Sequence, residues 1–360
     1  MAKQTYTRII GTGSVLPSQI VKNKHFMNNE FYTPSKKKIE DKSNEEIIQK
    51  FKEITNIEER RYIAEDLVTS DIAAMAVEDA CKTAGISKES LEFIIIGHNF
   101  GDTLNGNVRT DILPSLANKV KMKLNIKNPG CICHDVISGC PGWTQGMITA
   151  DAYIKSGFHK RGVVVGADVL SRLSDPHDRD SMIYADGAGA TIVEAVESEE
   201  PVGILSHSSR SDSVKFANLL TLGESSNPDY EGDELFLKMI GHKLYVYAIT
   251  TVPGVVKESI EKAGLQLGDI KKIFIHQANE KMDEAILAGV LKLYGEKEMP
   301  EGIMPMSIRK LGNSSTATVP TLVDLVAKGK IEGHEVNEGD YTILCSVGAG
   351  MNINSIVYKW

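Results

Sequence analysis

Ala84-Gly85-Ile86-Ser87-Lys88-Glu89-Ser90-Leu91-Glu92-Phe93-Ile94-Ile95-Ile96 is matched in the second half of the chain by Ala263-Gly264-Leu265-Gln266-Leu267-Gly268-Asp269-Ile270-Lys271-Lys272-Ile273-Phe274-Ile275. Ile86, Leu91, Ile94 and Ile96 recur as Leu265, Ile270, Ile273 and Ile275, at a constant offset of about half the chain. A helix-forming segment precedes each copy, SDIAAMAVEDACKTAG in the first case and VPGVVKESIEKAG from Val252 in the second, so the unit is a helix, a short linker and a buried strand. The correspondence continues downstream. RGVVVGAD (Arg161 to Asp168) and DYTILCSVGAG (Asp340 to Gly350) both read as buried strands, and a small-residue loop precedes a helix in each half, SGCPGW in one and LGNSSTATVP in the other. Strands alternating with helices predict an α/β protein whose sheets are covered by helices on both faces. Two halves, residues 1–200 and 201–360, are expected to meet where equivalent strands end, which is where active residues gather in such folds.

The 360 residues allow a large core, and a net charge of −8 with no long basic run argues against nucleic-acid binding. The start, MAKQTYTRII, lacks the apolar run of a secretory signal, and no stretch has the length of a membrane span, so a cytoplasmic location is expected. Five cysteines without a pairing pattern fit a reducing compartment. Cys131-Ile132-Cys133-His134 has one residue between its cysteines and no second pair nearby, which argues against metal. Thr7 to Leu16 (TRIIGTGSVL) reads as a strand into a glycine turn, and NNEFYTPSKKKIEDKSNEEI (residues 28–47) as an exposed loop leading into a helix.

Ile137-Ser138-Gly139-Cys140-Pro141-Gly142-Trp143 is where an apolar strand turns into a helix. Proline is preferred at the first helical position, so Cys140 stands where the free amides and the helix dipole favour a thiolate. By itself the position suits either a nucleophile or a buried structural thiol. Two further loops reach the same meeting point: Ile275-His276-Gln277-Ala278-Asn279, and Gly312-Asn313-Ser314-Ser315-Thr316. Taken singly, His276 could be a core histidine and Asn313 a helix cap. Together they form a nucleophile with two groups able to donate hydrogen bonds to a carbonyl oxygen that gains charge.

GTGSVLP, ITNIEERR, DVISGCPGW, DVLSRLSDPHDRD followed by YADGAGATIV, IHQANEKM, LGNSSTATVP and the closing SVGAG give the chain a resemblance, nearly end to end, to the β-ketoacyl-acyl carrier protein synthases III among the thiolase-like condensing enzymes. The resemblance implies an α/β, thiolase-like αβαβα layered fold built from two duplicated halves, and a homodimer. It also implies catalytic roles for Cys140, His276 and Asn313, with the amides of Cys140 and Ala349 as an oxyanion site. The implied reaction is acyl transfer to Cys140 from an acyl carrier protein or acyl-CoA thioester, then decarboxylative condensation with a malonyl (or β-ketoacyl) thioester. No metal or other cofactor is implied. A neutral Asn313 suits decarboxylation, where a carboxylate would suit a relative that deprotonates acetyl groups.

Substrate contacts implied by the same resemblance fall at Leu113, Arg179, Met239, Gly241, His242, Asn279 and Lys281. Several depart from the family pattern. Lys50 and Ile54 replace a tryptophan and an arginine that sandwich the adenine of coenzyme A, which favours carrier-protein delivery. Lys281 replaces an arginine and loses its bidentate fork, and His242 replaces an asparagine. Leu113 replaces a phenylalanine that closes the acyl pocket across the dimer, implying a primer longer than acetyl. Asn352 and Asn354 depart from a more apolar ending. These differences point to a specialised lipid, polyketide or alkylresorcinol-type ketosynthase. Two other readings use the same residues: an acyltransferase passing the acyl group to a hydroxyl or amine, and a non-catalytic partner that keeps the fold for binding.

Overall fold

The computed structural model describes residues 3–106, 109–298 and 300–360. The first half contains β1 (Gln4–Val15), α1 (Asn44–Thr55), α2 (Thr69–Ala84), β2 (Phe93–Gly97), α3 (Leu116–Lys123), β3 (Ile132–Val136), α4 (Gly142–Lys155), β4 (Arg161–Val169) and β5 (Asp186–Ser198). The second half contains β6 (Gly203–Ser211), a hairpin of β7 (Leu220–Gly223) and β8 (Phe236–Met239), α5 (Gly241–Lys262), β9 (Ile270–Ile275), α6 (Glu280–Leu293), α7 (Thr318–Ala327), β10 (Tyr341–Gly348) and β11 (Asn352–Lys359).

The duplication is visible in the topology. One sheet runs β1-β5-β4-β2-β3 and the other β6-β11-β10-β9. In the first, β2 is parallel to β4 while β5 is antiparallel to both β4 and β1; in the second, β9 is parallel to β10 while β11 is antiparallel to both β10 and β6. The glycines that open the repeated stretch play the same part in each half. Gly85 (φ +67°) and Gly264 (φ +71°) end α2 and α5 in the left-handed conformation that glycine adopts without steric cost.

Three apolar cores order the layers. Helices α2 and α3 cover the outer face of the first sheet through Ile72, Val77, Leu116 and Val120. Helices α5 and α6 cover the outer face of the second through Val252, Val256, Ile286 and Val290. Between the sheets lie α4 and α7, where Trp143, Met147, Leu322 and Val323 pack with Phe93 and Ile95 of one sheet and Phe274 and Leu344 of the other. The result is the expected αβαβα stack. Phe93 to Ile96 are fully buried because opposite faces of β2 meet different helix layers, which is why that strand reads as a continuous apolar run.

Three expectations need correction. Thr7 to Leu16 contains no turn, since β1 is extended through Gly11 and Gly13; those glycines admit the backbone of α2, and a Cβ at Gly11 would stand 2.6 Å from the Ala80 carbonyl oxygen. Residues 28–47 are not wholly exposed. Phe31 and Tyr32 are buried, while α1 begins at a capping box made by Ser43 and Glu46. The helix read from Val252 starts at Gly241, with Pro253 in its interior packed where Gly289 of α6 leaves room. Proline usually ends a helix, so the sequence pattern hid its first half.

Candidate active site

The candidate nucleophile sits on a turn forced close to the other half of the molecule. Gly139 adopts φ +66°, and a Cβ there would stand 2.5 Å from the Ala349 main-chain nitrogen. Gly348 closes in from the opposite side: its Cβ would stand 2.5 Å from the Cys140 nitrogen. Two loops half a chain apart therefore touch through glycine backbones, and the Cys140 and Ala349 main chains lie side by side. Helix α4 begins at Gly142 with Pro141 as its cap, one residue later than the sequence suggests.

His276 follows β9 directly, and its main-chain amide donates to the Cys345 carbonyl at 2.9 Å, extending the β9–β10 ladder to the ring. Asn313 is fixed by Ile183 and Ala185 main-chain bonds at 3.0 and 2.9 Å. Its Oδ1 accepts from the Ser315 amide at 2.8 Å, so the side chain does make a cap-like bond, and its two N–H donors remain for another partner.

Cys140, His276, Asn313 and Ala349 line one cavity of about 660 Å³. Arg179, Met239, Gly241, His242 and Asn279 line it too, as do Lys50 and Ile54. Leu237, Met239, Leu244, Met282, Phe51 and Ile183 make much of the wall apolar. Asn279 caps α6 by accepting from the Met282 amide at 3.3 Å. Two predicted contacts lie elsewhere: Lys281 is exposed on the first turn of α6, and Leu113 is 85% exposed, outside its own chain's cavity.

The cavity's electrostatics follow from burial. It pushes the Cys140 thiol up to about 11; a hydroxyl bond from Ser315 opposes the shift and the Asp168 charge adds to it. The expected lowering by the helix terminus is outweighed, since a thiolate loses most of its hydration there. Burial also holds the His276 ring down to about 4, against a hydrogen bond to the Ser315 main chain, so the imidazole is neutral at physiological pH. Asp180, in the cavity wall, is lifted to about 6 by burial and by Asp178, with Arg179 and Lys238 opposing. Tyr184 brings a buried hydroxyl without a hydrogen-bond partner.

Several residues escape the sequence reading. Ser315 donates to Cys140 Sγ at 3.3 Å, and Asn99 donates to Ser315 Oγ at 2.7 Å. The signal was present, since Asn99 follows the repeated strand β2 much as Asn279 follows β9. Asn352 donates to the Ala349 carbonyl at 3.1 Å and braces the turn facing Cys140, while Asn354 reaches Gln145 of α4 at 3.3 Å. Those two departures from the family ending thus tie β11 to the site. Among the described residues no cluster of metal-ligating side chains occurs, and no helix is long and apolar enough to cross a membrane.

Comparison with known proteins bears on the family and the fold. Residues 134–213 match the family model for 3-oxoacyl-[acyl-carrier-protein (ACP)] synthase III, and residues 260–360 match the model for its C-terminal part. The chain is 34% identical over 358 residues to β-ketoacyl-[acyl-carrier-protein] synthase III 1 of Vibrio parahaemolyticus, covering 99% of this chain and 100% of that protein. The crystal structure of 3-oxoacyl-[acyl-carrier-protein] synthase III from Aquifex aeolicus superposes with a TM-score of 0.79 at 27% identity, over 98% of this chain and 100% of that one. The Thermus thermophilus synthase III gives 0.79 at 28% identity, over 98% and 99%. The chain belongs to the β-ketoacyl-acyl carrier protein synthase III family, condensing enzymes of fatty acid biosynthesis that form a carbon–carbon bond.

Proposed function

We propose that this enzyme loads an acyl primer onto Cys140 and condenses it with a malonyl thioester. The observation that carries the reading is convergence: Cys140, His276 and Asn313 come from three loops and two halves, yet all open into one apolar cavity of about 660 Å³.

In the first step Cys140 Sγ attacks the primer thioester, its carbon–sulfur bond breaks, and the carrier or coenzyme A thiol leaves with the proton. The amides of Cys140 and Ala349 hold the oxyanion, a role their side-by-side packing supports; losing one such donor typically costs about 2.7–4 kcal/mol. In the second step the malonyl thioester loses CO₂. His276 and Asn313 hydrogen-bond the thioester oxygen of the resulting enolate. The enolate carbon then attacks the acyl-cysteine, giving a β-ketoacyl thioester and expelling the Cys140 thiolate, which takes a proton from water. A neutral imidazole and an amide whose oxygen is already occupied suit a donor role.

The primer is longer than acetyl and comes on a carrier protein, and the enzyme works as a homodimer in a specialised lipid pathway. The apolar cavity wall, the exposed Leu113, and Lys50 with Ile54 at positions where the family stacks adenine support this refinement. Purified enzyme incubated with acyl-coenzyme A and acyl-carrier thioesters of graded length tests it. Faster loading of long primers from the carrier protein is the expected result, and exclusive use of acetyl-coenzyme A would contradict it.

A further inference from the structure

The cysteine environment contains a directed chain of hydrogen bonds that the two-step reaction does not use. It starts at Asp168 in β4, a fully buried carboxylate on which four donors converge: the Asn99 amide and Nδ2, each at 2.8 Å, and the Thr316 hydroxyl and amide at 2.8 and 3.2 Å. Asn99 Nδ2 therefore carries only hydrogens toward its neighbours. Its second hydrogen goes to Ser315 Oγ at 2.7 Å, so that oxygen accepts and its single hydroxyl hydrogen is left for Cys140 Sγ at 3.3 Å.

The backbone at Ser315 points the same way. Its φ is +52°, a conformation in which glycine sits freely and serine is strained. A loop selected for shape alone would gain from glycine here. The hydroxyl is what glycine lacks.

We propose that Ser315 is a positioning residue for the nucleophile. Aimed by Asn99 and anchored on Asp168, its hydroxyl donates to Cys140 Sγ and stabilises the thiolate that attacks the primer. The inference rests on the reading of Cys140 as nucleophile. The titratable groups facing that sulfur are Asp168 from β4, Tyr184 ahead of β5, and His276 after β9, while the first turn of α4 contributes no acidic residue. Burial and the Asp168 charge both oppose the thiolate, so Ser315 is the side chain here that favours it.

The test is the pH dependence of Cys140 alkylation by iodoacetamide on the full-length protein, followed by mass spectrometry. Ser315→Gly removes the hydroxyl and relieves the strained φ. It is expected to alkylate about tenfold more slowly than the parent at each pH between about 7 and 9 and to converge with it at high pH, an upward shift of about one unit. Asn99→Leu is the second variant, since it removes the amide that aims the Ser315 hydroxyl while adding no charge beside Asp168. The same shift is expected with Ser315 still present. A Ser315→Gly profile that overlays the parent, or one lowered equally at every pH including the plateau, would overturn the proposal. Alkylation needs no condensation, so a shifted profile in a protein that never releases CO₂ would uphold this role of Ser315 while refuting the decarboxylative scheme.

Discussion

Gly348 packs so closely on Cys140 that a Cβ at 348 would stand 2.5 Å from the Cys140 main-chain nitrogen. Its φ of −168° is open to any residue, so the demand for glycine comes from space alone. Gly348→Ala is therefore expected to push the Cys140 and Ala349 main chains apart. Loading of Cys140 should fall about 100-fold, as for loss of an oxyanion donor, with a small change in melting temperature. Acyl-enzyme formation by mass spectrometry and thermal denaturation check both parts.

Asn313 offers a separation of the two half-reactions. Asn313→Asp keeps the oxygen that accepts from the Ser315 amide but removes the N–H donor proposed to hold the thioester oxygen. Loading is expected to stay within about threefold of the parent while decarboxylation of malonyl carrier protein drops by about 100- to 1,000-fold. Rapid-quench measurement of acyl-enzyme and of CO₂ separates the steps. Equal loss of both would make Asn313 a purely structural residue.

The two steps should also differ in pH dependence. A free imidazole protonates near 6.5, whereas burial holds His276 down to about 4; the neutral ring persists across the range in which an exposed histidine would become charged. Decarboxylation is expected to be flat from about pH 8 to 5 and to fall below that as His276 takes up its proton. Loading should instead climb with pH, because burial places the Cys140 thiol at about 11 and the thiolate fraction grows tenfold per unit below it. The profile is best taken in an Asp180→Asn background, since that cavity carboxyl is pushed up to about 6. A decarboxylation midpoint near 6.5 would contradict the buried, neutral His276.

Leu113, 85% exposed on its own chain, tests the pocket reading across the proposed dimer. Leu113→Phe is expected to shift primer preference toward shorter chains without altering the melting temperature. An unchanged chain-length profile would remove Leu113 from the pocket.

The sandwich itself predicts a stability defect. Gly11→Val would force side-chain atoms against Ala80 and Ala84 of α2, and overpacking of this kind costs about 1–3 kcal/mol. Urea unfolding should show a lowered midpoint with an unchanged slope.

Much of this architecture is legible because duplication writes the same strand twice. Ile94 and Ile96 mark β2 with Leu91 two residues ahead of it, Ile270, Ile273 and Ile275 mark β9, and Gly85 and Gly264 fix where their helices stop. Cys140, His276 and Asn313 could be chosen because each stands at the end of a strand or the start of a helix in that plan. What remained hidden depends on contacts distant in sequence. Gly11 and Gly13 look like a turn until α2 is laid against them, and Pro253 looks like a helix start until Gly289 makes room for it. The Cys140 thiol reads as activated from its helix alone, and only the closed cavity reveals the desolvation that raises it. Ser315 acquires its direction from Asn99, more than two hundred residues earlier.

Nucleophilic loading followed by decarboxylative condensation is tested most directly by intact-protein mass spectrometry after incubation with a panel of acyl-coenzyme A and acyl-carrier thioesters, followed by malonyl carrier protein. The expected result is an acyl adduct on Cys140, absent in Cys140→Ala, that is discharged with release of CO₂ and appearance of a β-ketoacyl thioester. An adduct that persists until an alcohol or amine is supplied, or normal turnover by Cys140→Ala, would contradict it.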